Sequence, residues 1–242
     1  MNWKKVIKGV LLSSFFVLVV FIFLRFIWHL NRDQNLFMAS VSGEAIPLVA
    51  QESDLVAALQ EAIGDLNVQA EAAASVDGHM LGGNVVIFEK NSSQKLPIAS
   101  LTKLMTAVVA LENYSLSQNM QINQKDIIGE TLQEDFLRQK KEMPMADLVH
   151  LALIESNNRA AKSLAEGMGI QKFVGLMNQK AKDLGMENTF YQEPTGLSSK
   201  NVSTAGDLVK LAEYILNIHP EIGRISTYKE YNVPGYGKIE NT

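Results

Sequence analysis

Residues 98–113 read IASLTKLMTAVVALEN, a serine and a lysine three apart followed by an apolar run. Leu101, Leu104, Met105 and Val108 recur with the period of a helix face, which predicts a helix from just after Pro97 to about Leu111. Ser100 and Lys103 then lie one turn apart at its start, with the lysine amine in reach of the serine oxygen. The helix N-terminus adds a positive dipole end, which favours developing negative charge. Packing of the apolar face partly desolvates Lys103, and desolvation turns a lysine into a usable general base for a serine nucleophile. The competing reading is an exposed cap serine beside a solvated lysine.

The S-x-x-K pattern also occurs at Ser92–Lys95 and Ser226–Lys229. The first copy lies in NSSQKLP, a loop blocked by Pro97, and without a helix such residues share no face. The second is expected in an extended stretch, where residues three apart point to opposite faces. A second polar element strengthens the Ser100 copy. ALIESNNRAAKSLAEG sets Ser156, Asn157 and Asn158 at a break between two apolar-periodic helices. A tripeptide held there by a core is pre-organised, as a site needs. Its serine hydroxyl can relay a proton, and an asparagine amide can bind a substrate carbonyl or steady the lysine. The other S-x-N copies, Ser117–Asn119 and Ser199–Asn201, sit in polar stretches and read as turn formers.

The rest of the chain reads as a strand pair followed by a helical block. Residues 53–66 have helical spacing, with Ser53 as a plausible N-cap. VQAEAAASV (68–76) alternates, DGHMLGGN turns, and NVVIFEK extends, as in a hairpin. Residues 113–143 are polar and irregular. Helices are expected at 145–155, 159–168, 171–184 and 204–216, and the last stretch is expected to be extended. The order is α+β rather than alternating β-α-β.

The first thirty residues differ. Lys4, Lys5 and Lys8 precede an apolar run to Leu24, and Arg25 and Trp28 follow. A helix over residues 9–30 is long enough to cross a bilayer, and the lysines favour an inside N-terminus. A single-pass signal anchor over 1–30 is favoured over a cleaved signal peptide, with a stalk at 31–52 and an exported domain at 53–242. That places the domain on the extracytoplasmic face of the cell membrane. Residues 1–28 hold four basic residues and no acid, which leaves 18 basic against 26 acidic residues and a net charge of −8 beyond them. Such a domain is a poor partner for nucleic acid. Cysteine is absent, and the four histidines (29, 79, 150, 219) show no ligand spacing, which argues against metal hydrolysis. No G-x-S-x-G elbow occurs.

KLPIASLTKLMTA, ESNNRAAKSLAE, LGMENTFYQEPTGLSSKNVSTAGDLVKL and the final ENT together resemble the D-alanyl-D-alanine carboxypeptidases and endopeptidases, which are low-molecular-mass penicillin-binding proteins. The resemblance covers about residues 68–242. It implies a β-lactamase/penicillin-binding-protein-like α+β fold, an antiparallel sheet with a helical block. It makes Ser100 the nucleophile, Lys103 its base, Ser156 a proton relay and Asn158 a substrate-amide contact, with no cofactor. The implied partners are peptidoglycan stem peptides, β-lactam antibiotics as covalent inhibitors, and the membrane through the N-terminal helix. A carboxypeptidase is the leading reading; the SNNRAAKSLAE and EPTGLSSKNVSTAGDL wording leans towards an endopeptidase.

The family's third motif, K-T-G or K-S-G, does not occur in residues 1–242. The resemblance puts it on a later strand that supplies a cationic contact and one oxyanion-hole N–H, so the chain is expected to be truncated before it, with later sheet strands missing. A catalytically dead cell-wall-binding module is therefore the rival class. Glu213-Tyr-Ile-Leu-Asn217 matches the E-x-x-L-N string of class A β-lactamases. It is expected on a solvated face of a helix whose apolar side is Leu208, Leu211, Ala212 and Ile215.

Overall fold

A computed structural model describes residues 68–77, 85–122, 137 and 139–241. The expected membrane helix, stalk, 53–66 helix and 78–84 turn lie outside the described residues. Among the described residues no helix is long and apolar enough to cross a membrane.

The 98–113 stretch organises the rest. Ala99–Leu101 form a 3-10 turn that runs directly into helix α1 (Thr102–Asn113). Every residue from Thr102 to Ala110 except Leu104 is buried. A helix covered on all sides belongs at the centre of a fold. Leu101 departs from its expected place in the core: it is 49% exposed. The 3-10 geometry ahead of α1 takes it off the helix face that Met105 and Val108 share.

Helices α2 (Met145–Ile154), α3 (Asn158–Glu166) and α4 (Ile170–Asp183) pack around α1. Met145, Leu148, Leu151 and Ile154 of α2 are fully buried. Helix α5 (Ala205–Ile218) starts at Thr204, whose side chain accepts from the Asp207 N–H at 3.0 Å. Asp207 also takes Asn188 N–H at 2.8 Å and Thr189 Oγ1 at 3.0 Å, and so ties the loop after α4 to α5. The buried face of α5 is Asp207, Leu211 and Ile215; Ala212, expected there, is exposed. Glu213 is half-buried, with one carboxylate oxygen enclosed and unpartnered, rather than on a solvated face.

Helix α6 (Pro220–Ser226) replaces part of the expected extended tail. Pro220 stands at the first helical position, where its missing N–H costs nothing and its fixed φ suits the turn. Ser226 therefore ends a helix, and its hydroxyl donates back to Ile222 O at 3.0 Å.

The strands form four separate two-stranded sheets among the described residues. β1 (Ala73–Asp77) pairs with β2 (Val85–Lys90). β3 (Leu96–Pro97) pairs antiparallel with β6 (Val202–Ser203), Leu96 opposite Ser203. β4 (Asn119–Gln121) pairs with β5 (Glu142–Pro144), within the stretch expected to be irregular. Three residues are too few for alternation to register in sequence, although Met120 and Met143 face one another and are buried. β7 (Glu230–Val233) and β8 (Gly237–Glu240) form a terminal hairpin. The architecture is α+β, with a helical block carrying small sheets at its margins.

Candidate active site

Between α2 and α3 the chain turns through Glu155, Ser156 and Asn157. Asn157 caps α3 by accepting from the Ala160 N–H at 2.9 Å. Its own N–H donates to Leu151 O at 3.1 Å, which closes the end of α2. The turn forces Ser156 to a φ of +54°, a left-handed conformation that costs an L-residue about 1–2 kcal/mol. Ala99, just before Ser100, is likewise left-handed at +44°. Strain thus sits at Ser156 itself and just before Ser100, and the surrounding packing holds it in place.

Lys103 is 2% exposed. Its Nζ lies 3.1 Å from Ser100 Oγ, 3.3 Å from Ser156 Oγ, 2.9 Å from Asn158 Oδ1 and 2.9 Å from the Thr195 carbonyl oxygen. Ser156 Oγ donates to Ser100 Oγ at 2.9 Å. The structure therefore brings together all four residues singled out in sequence. The amide and carbonyl oxygens can only accept, so each takes an N–H from the lysine. The remaining valence of Nζ faces two hydroxyls. As an ammonium it donates to them; as a neutral amine it offers a lone pair to the Ser100 proton. These are the contacts a serine nucleophile and its base require.

Ser100 is exposed and opens onto a groove of about 490 Å³. Leu101, Leu104 and Leu153 form apolar walls, and Ser226 and Asn241 close it from the C-terminal side. The Ser100 N–H stands at the opening of the 3-10 turn, where backbone donors have no acceptor within the helix.

Thr195 entered only through its carbonyl, which sequence reasoning missed. It belongs to the turn Glu193-Pro-Thr-Gly-Leu197. That turn docks on α1 at two points, and Asn201, four residues past it, adds a third. Asn201 Nδ2 donates to Thr102 Oγ1 at 3.0 Å, Lys103 donates to Thr195 O, and Thr106 Oγ1 donates to Pro194 O at 2.7 Å. Gly196 has φ +92°, and a Cβ there would stand 2.0 Å from Ala99 O. Only glycine permits so close an approach behind the Ser100 turn. Asn201 is fully buried, and its Oδ1 accepts from the Gln192 N–H at 2.8 Å. It is a structural knot rather than the plain turn former expected. The glycine was a visible turn signal, but nothing in the spacing showed where its turn would dock.

The other candidates stand apart. Ser92 Oγ donates to Glu89 at 2.7 Å. His150 Nδ1 donates to Ala146 O at 2.7 Å and its ring stacks on Tyr231, 4.3 Å between centroids, so it packs α2 against the terminal hairpin.

The profile of the D-alanyl-D-alanine carboxypeptidase family, peptidase family S11, matches residues 58–238. The chain is 41% identical over 153 residues to a D-alanyl-D-alanine endopeptidase of Escherichia coli, covering 62% of this chain and 49% of that protein. It is 30% identical over 154 residues to a D-alanyl-D-alanine carboxypeptidase of Bacillus subtilis, covering 60% and 39%. The chain thus spans about half or less of the length of these curated relatives. Among solved structures it resembles ampicillin-bound penicillin-binding protein D2 of Listeria monocytogenes, with a TM-score of 0.65 and 29% identity, covering 73% of this chain and 74% of that one. With three quarters of its residues inside the family match and an S-x-x-K pair seated against S-N-N, the chain belongs to the D-alanyl-D-alanine carboxypeptidase family of serine peptidases.

Proposed function

We propose that this chain carries the acylation machinery of a D-alanyl-D-alanine carboxypeptidase that trims peptidoglycan stem peptides and is inhibited by penicillin. One observation carries the reading: the buried Lys103 amine held 3.1 Å from the exposed Ser100 hydroxyl. The amine takes the Ser100 proton as Oγ attacks the scissile carbonyl carbon. The carbonyl π pair moves to oxygen, beside the Ser100 N–H. Collapse of this intermediate breaks the C–N bond; Ser156, in contact with both Oγ and Nζ, gives its proton to the departing amine and takes the Lys103 proton in its place, which leaves the lysine neutral again. Asn158 steadies the lysine through Oδ1 and faces the substrate amide. Water, deprotonated by Lys103, then cleaves the acyl ester and restores Ser100. Penicillin acylates the same serine by opening its lactam C–N bond, and the ampicillin-bound relative supports this.

The domain is proposed to span 53–242, carried by a stalk and a signal anchor over 1–30 that keep it on the outer face of the membrane, where the substrate lies. The run of apolar residues behind Lys4, Lys5 and Lys8 supports that placement. A second reading, an endopeptidase that cleaves cross-links between stem peptides, is favoured by the higher identity to the E. coli endopeptidase than to the carboxypeptidase of B. subtilis.

The test is labelling with a fluorescent penicillin. A covalent label that survives denaturation and disappears in Ser100→Ala is expected. A folded chain that takes no label overturns the reading and leaves a binding module.

A further inference from the structure

Glu193 opens the turn whose Thr195 carbonyl meets Lys103. It precedes Pro194, which biases its backbone to an extended conformation. One carboxylate oxygen accepts from Thr195 N–H at 2.7 Å and from Thr195 Oγ1 at 2.5 Å. The other accepts from Gly196 N–H at 2.6 Å, Asn201 Nδ2 at 3.1 Å and Ser198 N–H at 3.3 Å. The Gly196 N–H and the Thr195 C=O belong to the same peptide group. That single plane points its N–H at a carboxylate and its C=O at the Lys103 amine, 2.9 Å away. A hydrogen bond to an anion polarises the amide and strengthens its carbonyl as an acceptor.

We infer that Glu193 is a positioning residue for the Ser100–Lys103 pair, acting through the Thr195–Gly196 peptide to fix where the lysine amine sits. The inference rests on the acyl-serine reading given under Proposed function. Glutamine at 193 keeps the length but replaces one accepting oxygen with an N–H₂ group that opposes the backbone donors. The turn can still close on one oxygen, but the carbonyl facing Lys103 loses its orientation and its polarisation.

A residue that merely staples the loop and one that positions the base leave different traces. Loss of a staple lowers the fraction of folded, labelled molecules. Loss of positioning lowers the rate constant of each folded molecule. The experiment is a time course of fluorescent-penicillin acylation across probe concentrations, giving a saturating rate, a half-saturating concentration and a labelled fraction. For Glu193→Gln the saturating rate is expected to fall roughly 10- to 100-fold, with half-saturation and labelled fraction unchanged. Glu193→Asp, which keeps the charge on a shorter arm, is expected to retain part of the rate. A wild-type rate in Glu193→Gln, or a lost labelled fraction at an unchanged rate, overturns the inference while the Ser100 reading stands. If Glu193→Gln does not fold, a wild-type rate in Glu193→Asp overturns it. Absence of label on the folded wild-type chain overturns both.

Discussion

Replacing Gly196 with alanine tests the docking of the 193–197 turn behind Ser100. The added Cβ would stand 2.0 Å from Ala99 O and 2.9 Å from Ser100 N, both backbone atoms that cannot swing aside. Moving from 2.0 Å to an ordinary 3.4 Å contact requires the two segments to part by more than an ångström. The left-handed backbone at +92° adds about 1–2 kcal/mol for a residue with a Cβ. Overpacking adds about 1–3 kcal/mol. A total near 3 kcal/mol lowers the melting temperature of a domain this size by roughly 6–12 °C. The same displacement moves Ser100 relative to Lys103, and misplacement on the order of 1 Å costs about a hundredfold in rate. Thermal melting and penicillin acylation are measured on the same preparation. Wild-type melting together with a wild-type acylation rate in Gly196→Ala would falsify the geometry of this contact.

Other substitutions report on the elements that hold the site. Asn157→Ala removes the cap of α3 and is expected to cost about 1 kcal/mol, read as a lower denaturation midpoint. Thr106→Val leaves the Pro194 carbonyl without its 2.7 Å donor and is expected to cost about 1–2 kcal/mol in the same assay. Glu112 joins α1, α4 and α5, accepting from Lys180 at 2.8 Å and from Tyr214 at 2.5 Å. Burial pushes its carboxyl up, but the Lys180, Tyr214 and His219 hydrogen bonds and the Lys180 charge outweigh it and hold the pKa below the ordinary 4.5. A carboxyl depressed on folding stabilises the fold above its unfolded pKa, and that stability fades as pH falls through the folded value. Glu112→Gln is therefore expected to lose about 1 kcal/mol near neutral pH, and the gap from wild type should close as the pH falls through the depressed Glu112 pKa. A gap that persists at low pH contradicts this assignment.

The core of the site was legible because its residues sit on long periodic elements. Ser100 and Lys103 share the start of a helix whose apolar spacing runs for three turns, and Ser156 and Asn158 mark a break between two more. What was missed lies where spacing carries no signal. Thr195 contributes a backbone carbonyl, an atom every residue has, and Glu193 acts by folding back on N–H groups two to five residues onward. Helix α6 was hidden by Pro220, which reads equally as a stop or a start. β4 and β5 were hidden by their three-residue length. Ser226–Lys229 was set aside for the wrong reason. It fails because the Ser226 hydroxyl bonds its own helix, not because the stretch is extended.

The central claim is that Lys103 activates Ser100. The most direct measurement is intact mass after exposure to penicillin, followed by peptide mapping, on the wild-type chain and on Lys103→Met. The methionine has similar volume and no proton-accepting nitrogen. The prediction is a single penicilloyl adduct on Ser100 in the wild type and its loss in a still-folded Lys103→Met. An adduct on another residue, or wild-type acylation of Ser100 without the lysine, contradicts the account.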